Sequence, residues 1–414
     1  MANWFLGRVV TGSGVVEKGA VGIDGERVIY AGPASGASRD PREICQPVEG
    51  WITPGLIDLH IHGAGGRDLM EGTVEAVRAV AGTLAAHGTT GFLATSVVCR
   101  RDEENRHLEA AAELFSQATE GAEVLGIHVE GPYVNPARAG LIRRERIWPP
   151  DRTDLQRILR LSRNRLKMMT LAPELPKALE LIPALEDAGA IGSMGHTEAS
   201  FEQAKTGFSR GVRHVTHLYN AMRGLHHREP GALGAVLTDH RVTAQLITDG
   251  VHVHPEVLRW TTKVLSADAL VLITDALPSA GLPDGIYAYD GRSYESKNGS
   301  AWHHEGPDHD DRQVAAKRSK EMAALPLSAD HRLFGTTILL DEMVRRAVRL
   351  AGVSFPEAVR MASANPARTL GLEKEIGSLE KGCRADLVLW DSGYRVTETI
   401  MRGKTVWKRT ESNA

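Results

Sequence analysis

The apolar positions of this chain change rhythm twice. Up to about Glu49 they fall in short β-prone runs, Arg8-Val9-Val10 and Val28-Ile29-Tyr30-Ala31, set between Gly and Asp-Gly turns such as Asp24-Gly25. That pattern predicts short strands. The far end has the same texture: 385–390 reads as a strand, and 397–401 with 405–407 as a hairpin about Arg402-Gly403. Two β-rich ends around a different middle predict one small β-sandwich domain built jointly from residues 1–53 and 377–414.

Residues 54–376 alternate instead. Pro54 and Gly55 break the preceding structure, and Leu56, Ile57, Leu59 and Ile61 predict a short buried strand. Val74, Val77, Val80, Ala81 and Leu84 then recur at helical spacing, which predicts a helix over 73–87. Seven more apolar runs follow, at 91–98, 124–129, 166–171, 191–195, 214–216, 243–247 and 270–274, with helix-like segments such as 102–118 and 177–188 between most of them. Eight strand–helix repeats predict an α/β fold, a (β/α)8 TIM barrel. Further helices follow from about Gly335, one opened by the capping box Ser354-Phe355-Pro356-Glu357. From about 295 to 332 the periodicity is lost and polar residues crowd, as in Trp302-His303-His304-Glu305 and Asp308-His309-Asp310-Asp311-Arg312. This predicts an irregular lid or insertion; a second metal site is the weaker reading.

The candidate chemistry lies at the strand ends. His60 and His62 are two apart on a strand, so both imidazoles point the same way. Side by side at the strand exit they are half of a metal site, or else two core histidines bonded to backbone. Their register favours the first. Glu130, His196, His217 and Asp275 stand at the ends of later predicted strands. All would face the barrel end where sites of this fold are built. Four imidazoles and two carboxylates suit Zn²⁺ or a similar first-row ion, with donors enough for two ions and Glu130 able to bridge them. Such a site lowers the pKa of its water toward about 7. A nearby carboxylate then carries the proton, a role that fits Asp275.

Composition narrows the partners. The net charge of −3 gives no basic footprint for nucleic acid. Cys45, Cys99 and Cys383 are widely spaced, which fits a reducing compartment rather than a disulfide framework. The stretch Met1-Ala2-Asn3-Trp4 lacks the plan of a signal peptide, and no apolar run is long enough to span a bilayer. A cytoplasmic protein is expected.

The layout of these donors resembles the amidohydrolase superfamily. Within it, Gly126-Ile127-His128-Val129-Glu130-Gly131-Pro132-Tyr133, Gly195-His196-Thr197, Thr216-His217-Leu218-Tyr219-Asn220-Ala221-Met222, Asp249-Gly250-Val251-His252 and Thr274-Asp275-Ala276 are similar to the N-acetylglucosamine-6-phosphate deacetylase family. The closing segment Gly377-Ser378-Leu379-Glu380-Lys381-Gly382, running on to Ala385-Asp386-Leu387-Val388, is similar too. The resemblance implies removal of acetyl from an amino-sugar phosphate, with Glu130, His196 and His217 holding the main divalent ion. His60, His62 and Asp275 would support a second, which some relatives lack, so one ion or two of Zn²⁺ or Fe²⁺ are implied. It further implies that Asp275 moves the proton, that Asn220, the Ala221 backbone, Arg228 and His252 bind the sugar phosphate, and that the protein is a homodimer.

Two departures stand out. Ile142 occupies a place where the family carries a polar group near the acetyl carbonyl, with Arg143 and Arg144 as neighbouring substitutes. The 295–332 stretch replaces a shorter segment that reaches the acetyl pocket. Three rival readings follow: a cyclic-amide hydrolase, which Glu130 in place of a bridging Lys disfavours; a deacetylase of another acetamido sugar; and a metal-binding barrel with weakened turnover acting as a binding protein.

Overall fold

The computed structural model describes residues 2–37, 44–97, 105–115, 117, 120–303 and 333–410. Eight parallel strands form the barrel, in order along the sheet as along the chain: β1 (Leu56–Ile61), β2 (Thr89–Ser96), β3 (Glu123–Glu130), β4 (Leu166–Leu171), β5 (Ile191–Met194), β6 (His214–Val215), β7 (Thr243–Leu246) and β8 (Leu270–Leu272). Just beyond β8 the chain closes on β1. Asp275 N donates to the His60 carbonyl at 2.9 Å and His62 N to the Ala276 carbonyl at 2.9 Å. The fully buried Asp58 sews the same seam, accepting from Thr274 Oγ1 at 2.6 Å and from His60 N at 3.2 Å. Burial lifts its carboxyl to about 6, and those donors hold it from rising further.

Local signals place the elements. The helix expected over 73–87 is Val74–Ala86, with the Thr73 hydroxyl capping Ala76 N at 3.2 Å. Ser354 and Glu357 make the expected capping box ahead of Phe355–Met361. The helix expected over 177–188 is split into a 3₁₀ turn, Ala178–Glu180, and a short helix, Ile182–Asp187. Pro183 has no N–H to continue a ladder and so sits where a helix begins. The described helix in the third expected stretch is Arg106–Glu113.

The two termini share one seven-stranded sheet. Its order is Lys404–Lys408, Val396–Met401, Leu387–Trp390, Ile44–Pro54, Asn3–Thr11, Gly14–Asp24 and Arg27–Pro33. Both halves of that sheet bury side chains in one apolar cluster, including Phe5, Val21, Ile52, Leu387, Leu389 and Ile400. The Arg402-Gly403 turn has φ of 49° and 73°, the left-handed pair a two-residue hairpin needs. Gly403 is required for space as well, since a Cβ there would lie 2.0 Å from the Gly25 carbonyl oxygen. Arg384 and Arg402 both pair with Glu123 at the start of β3, fastening this sheet to the barrel.

The irregular segment expected from 295 begins instead as ordered structure. β9 (Gly285–Tyr289), β10 (Arg292–Lys297), β11 (Ser300–His303) and β12 (Leu333–Thr336) form an antiparallel sheet. Tyr294 and Ser296 are buried while Ser293 and Lys297 are exposed, so a period-two pattern was present beneath the polar composition. Residues 304–332, with His304, Glu305, Asp308, His309, Asp310, Asp311 and Arg312, lie outside the described residues. Among the described residues no helix is long and apolar enough to cross a membrane.

Candidate metal centre

β1 is buried along its whole length and delivers His60 and His62 to the same side, with ring centroids 5.1 Å apart. Glu130 is the last residue of β3. His196, His217 and Asp275 follow the ends of β5, β6 and β8, each with left-handed backbone at φ of 46°, 27° and 49°. Tyr219 and Ala221, in the loop after His217, share that conformation at 80° and 49°. Such residues cost on the order of 1–3 kcal/mol each and gather at functional sites.

The donors form two triads, His60 with His62 and Asp275, and Glu130 with His196 and His217. Glu130 Oε1 stands 3.0 Å from His196 Nε2 and 2.9 Å from His217 Nε2. Its other oxygen is 3.3 Å from His62 Nε2, so the carboxylate lies between the triads. Asp275 Oδ1 is 3.4 Å from His60 Nε2 and 3.3 Å from His62 Nε2. The two pairs of imidazoles face Nε2 to Nε2 at 3.2 Å for His60 and His62 and 3.1 Å for His196 and His217. Ligands about 2.0–2.1 Å from a tetrahedral ion stand about 3.3 Å from one another, so these spacings fit an ion at each triad.

Proton placement agrees. His196 Nδ1 lies 2.7 Å from the Arg138 carbonyl, which can only accept, so the proton is on Nδ1. That leaves His196 Nε2, 3.0 Å from Glu130 Oε1, free to share either a proton or a cation with the carboxylate. His60 is oriented likewise by the side-chain oxygen of Gln245 at 3.1 Å, and His62 Nδ1 meets the Tyr289 hydroxyl at 3.1 Å. Among the described residues none pairs with His217 Nδ1.

The electrostatics suit a cation. Burial would raise Glu130, but the charge of His60 and hydrogen bonds from His196 and His217 hold it well below the usual carboxylate range. Asp275 is held down against burial by His60 and His62. Burial lowers His62, yet hydrogen bonds to Asp275 and Glu130 carry it up to about 10.

Asn220 and Ala221 lie in the loop that follows His217. Asn220 is half-buried, its amide 3.4 Å from the His217 carbonyl, and the Ala221 carbonyl accepts from Thr197 N at 3.1 Å. His252 is held through Nδ1 by Asp249 Oδ2 at 2.7 Å. Arg228 is exposed and turned to His227 Nε2 at 2.9 Å. His128 bonds the Leu59 carbonyl and Thr170, and His214 bonds Thr243, so both line the barrel wall as neutral rings. Ile142 packs in an apolar cluster with Val97, Val134 and Ile147. Arg143 does not turn to the centre in its place: its Nε is 2.9 Å from Asp290 Oδ2.

Gln245 and Tyr289 escaped sequence reasoning. Gln245 left a signal, a lone amide in an otherwise apolar run. Tyr289 left none, because its place depends on the return of β9 to the barrel.

A model of the amidohydrolase family matches residues 51–406. The N-acetylglucosamine-6-phosphate deacetylase of Bacillus subtilis (strain 168) is 33% identical over 409 residues, 98% of this chain and 97% of that protein. The N-acetylgalactosamine-6-phosphate deacetylase of Escherichia coli O157:H7 is also 33% identical, over 90% of each chain. A mutant N-acetyl-D-glucosamine-6-phosphate deacetylase from Mycobacterium smegmatis, solved with N-acetyl-D-glucosamine-6-phosphate, superposes with a TM-score of 0.85 at 30% identity, covering 98% of this chain and 99% of that one.

Proposed function

Because the chain belongs to the amidohydrolase family, a family of metal-dependent hydrolases, we propose that it removes the N-acetyl group from N-acetylglucosamine 6-phosphate, giving acetate and glucosamine 6-phosphate. The observation that carries this reading is the convergence of two donor triads on Glu130, in a chain that aligns over 98% of its length with a sugar-phosphate deacetylase.

Glu130, His196 and His217 would hold one divalent ion, and His60, His62 and Asp275 a second. Imidazole and carboxylate donors suit Zn²⁺, with Fe²⁺ the alternative. An ion there supplies Lewis acidity, lowering the pKa of its water and polarising the amide carbonyl. Asp275 takes a proton from the attacking water and returns it to the departing nitrogen, so the C–N bond breaks to acetate and a free amine. The imidazoles around Asp275 keep it ionised, the state that accepts a proton. Asn220, the Ala221 backbone, His252 and Arg228 bind the sugar phosphate, with Asp249 fixing the His252 ring. The exposed position of Arg228 suits a reach into a second copy, hence a homodimer. Sparse, widely spaced cysteines go with a cytoplasmic setting. Residues 1–53 with 377–414 serve as the small β domain that braces the barrel.

One other substrate has specific support: the galactosamine relative is as similar, at 33%, as the glucosamine one. Acetate release should be measured from both 6-phosphates and from unphosphorylated N-acetylglucosamine, with chelator-stripped and metal-restored protein. The glucosamine phosphate should turn over fastest and only with metal restored. Faster release from the galactosamine isomer would transfer the assignment. Bound metal without cleavage of any of the three would leave a binding protein.

A further inference from the structure

The hairpin joining β9 to β10 is tied to the centre at two levels. Tyr289 closes β9, is 5% exposed, and packs its ring among Leu277, Tyr294, Ala301 and Phe334. Its hydroxyl reaches His62 Nδ1 at 3.1 Å, with the two rings 5.6 Å apart and nearly edge-on. The next residue, Asp290, is gripped from the loop that follows Glu130. Arg143 Nε is 2.9 Å from Oδ2 and Arg146 Nη2 is 2.8 Å from Oδ1. Arg292 adds a 2.6 Å bond to the Leu141 carbonyl. The loop so gripped is the one whose Arg138 carbonyl orients His196. A bidentate-type grip on a carboxylate fixes direction as well as distance.

We propose that Tyr289, held in place by the Asp290 grip of Arg143 and Arg146, is the positioning residue that aims His62 at the ion carried by His60, His62 and Asp275. This rests on the metal-dependent reading above. With Nε2 given to an ion, His62 carries its proton on Nδ1, and the phenol oxygen of Tyr289 accepts it. That acceptor fixes both the tautomer and the ring plane. His62 is a ligand that the other triad does not share, so Tyr289 acts on one ion and not on the pair.

Tyr289→Phe keeps the ring and removes the hydroxyl alone; Asp290→Asn loosens the grip without touching His62. Full-length protein is stripped, titrated with Co²⁺ against a competing chelator, and followed by its visible absorption and by Co²⁺ per chain. Wild type is expected to take two ions. Tyr289→Phe should keep the first at wild-type affinity and bind the second about 10–100-fold more weakly, with an altered second-ion absorption. Asp290→Asn should shift the second ion in the same direction, by less. Wild-type affinity for both ions in Tyr289→Phe overturns the proposal, as does a wild type that takes only one. A wild type that takes none instead brings down the metal-dependent reading itself. Should Tyr289→Phe fail to fold, unchanged second-ion affinity in Asp290→Asn is the overturning result.

Discussion

The side-chain oxygen of Gln245 joins the two halves of the centre. It stands 3.1 Å from His60 Nδ1 and 3.2 Å from the backbone N of His217. One fully buried acceptor thus sets the tautomer of a donor in one triad and the main-chain position of a donor in the other. Gln245→Leu leaves both N–H groups buried without it. The expected loss is about 1–3 kcal/mol of stability per orphaned donor and about tenfold or more in metal affinity. Thermal unfolding together with metal content checks this. Full ion loading at unchanged Tm would show that Gln245 is packing only.

Asp275 is expected to matter more for turnover than for retention of the ion held by Glu130, His196 and His217. Asp275→Asn should keep at least that ion while kcat falls about 10²–10⁴-fold. Steady-state kinetics on metal-analysed protein decide it, and near wild-type kcat would remove Asp275 from proton transfer.

Arg228 is exposed, and its proposed role is to meet the substrate's phosphate. Loss of a charge-assisted hydrogen bond is worth about 1.5–3 kcal/mol, roughly 10–100-fold in binding. Arg228→Ala should therefore raise KM for phosphorylated acetamido sugars by about that factor and leave neutral ones nearly unchanged. Equal effects on both would mean that Arg228 touches no phosphate.

Away from the centre, His87 Nδ1 meets the buried carboxylate of Asp341 at 3.0 Å, joining the end of the Val74–Ala86 helix to the helix Leu340–Arg346. Burial opposes ionisation of Asp341, but the charges of His87 and Arg345 bring it down to about 2. His87 is raised by Asp341 against its own burial. The depressed carboxyl contributes stability that is whole above its unfolded value of about 3.9 and is lost as pH falls toward 2. The raised imidazole contributes stability that is whole below about 6.5 and is lost as pH climbs through its folded value. The margin of wild type over His87→Gln in urea unfolding should peak between about pH 4 and 6.5 and shrink at both ends. A margin flat from pH 3 to 9 would show that the pair is not ionised.

Much of the barrel was legible because its signals are local. Strand alternation alone puts His60 and His62 on one side. Apolar runs ending in a polar residue pick out Glu130, His196, His217 and Asp275, and a cap at Thr73 or Ser354 acts within one turn. Composition misled at about 295, where alternating burial along 292–297 lay under polar residues such as Ser293, Ser296 and Lys297.

The sequence by itself determined which side chains could bind a cation and the order of strands that carries them. Only the tertiary structure decided how those side chains are aimed. Tyr289 meets His62 across 227 residues, Gln245 meets His60 across 185, and Arg138 offers His196 a carbonyl from 58 residues away. Periodicity and capping act over a few residues, whereas a hydrogen bond that fixes an imidazole depends on where two distant segments come to lie, and that is set by packing of the whole barrel.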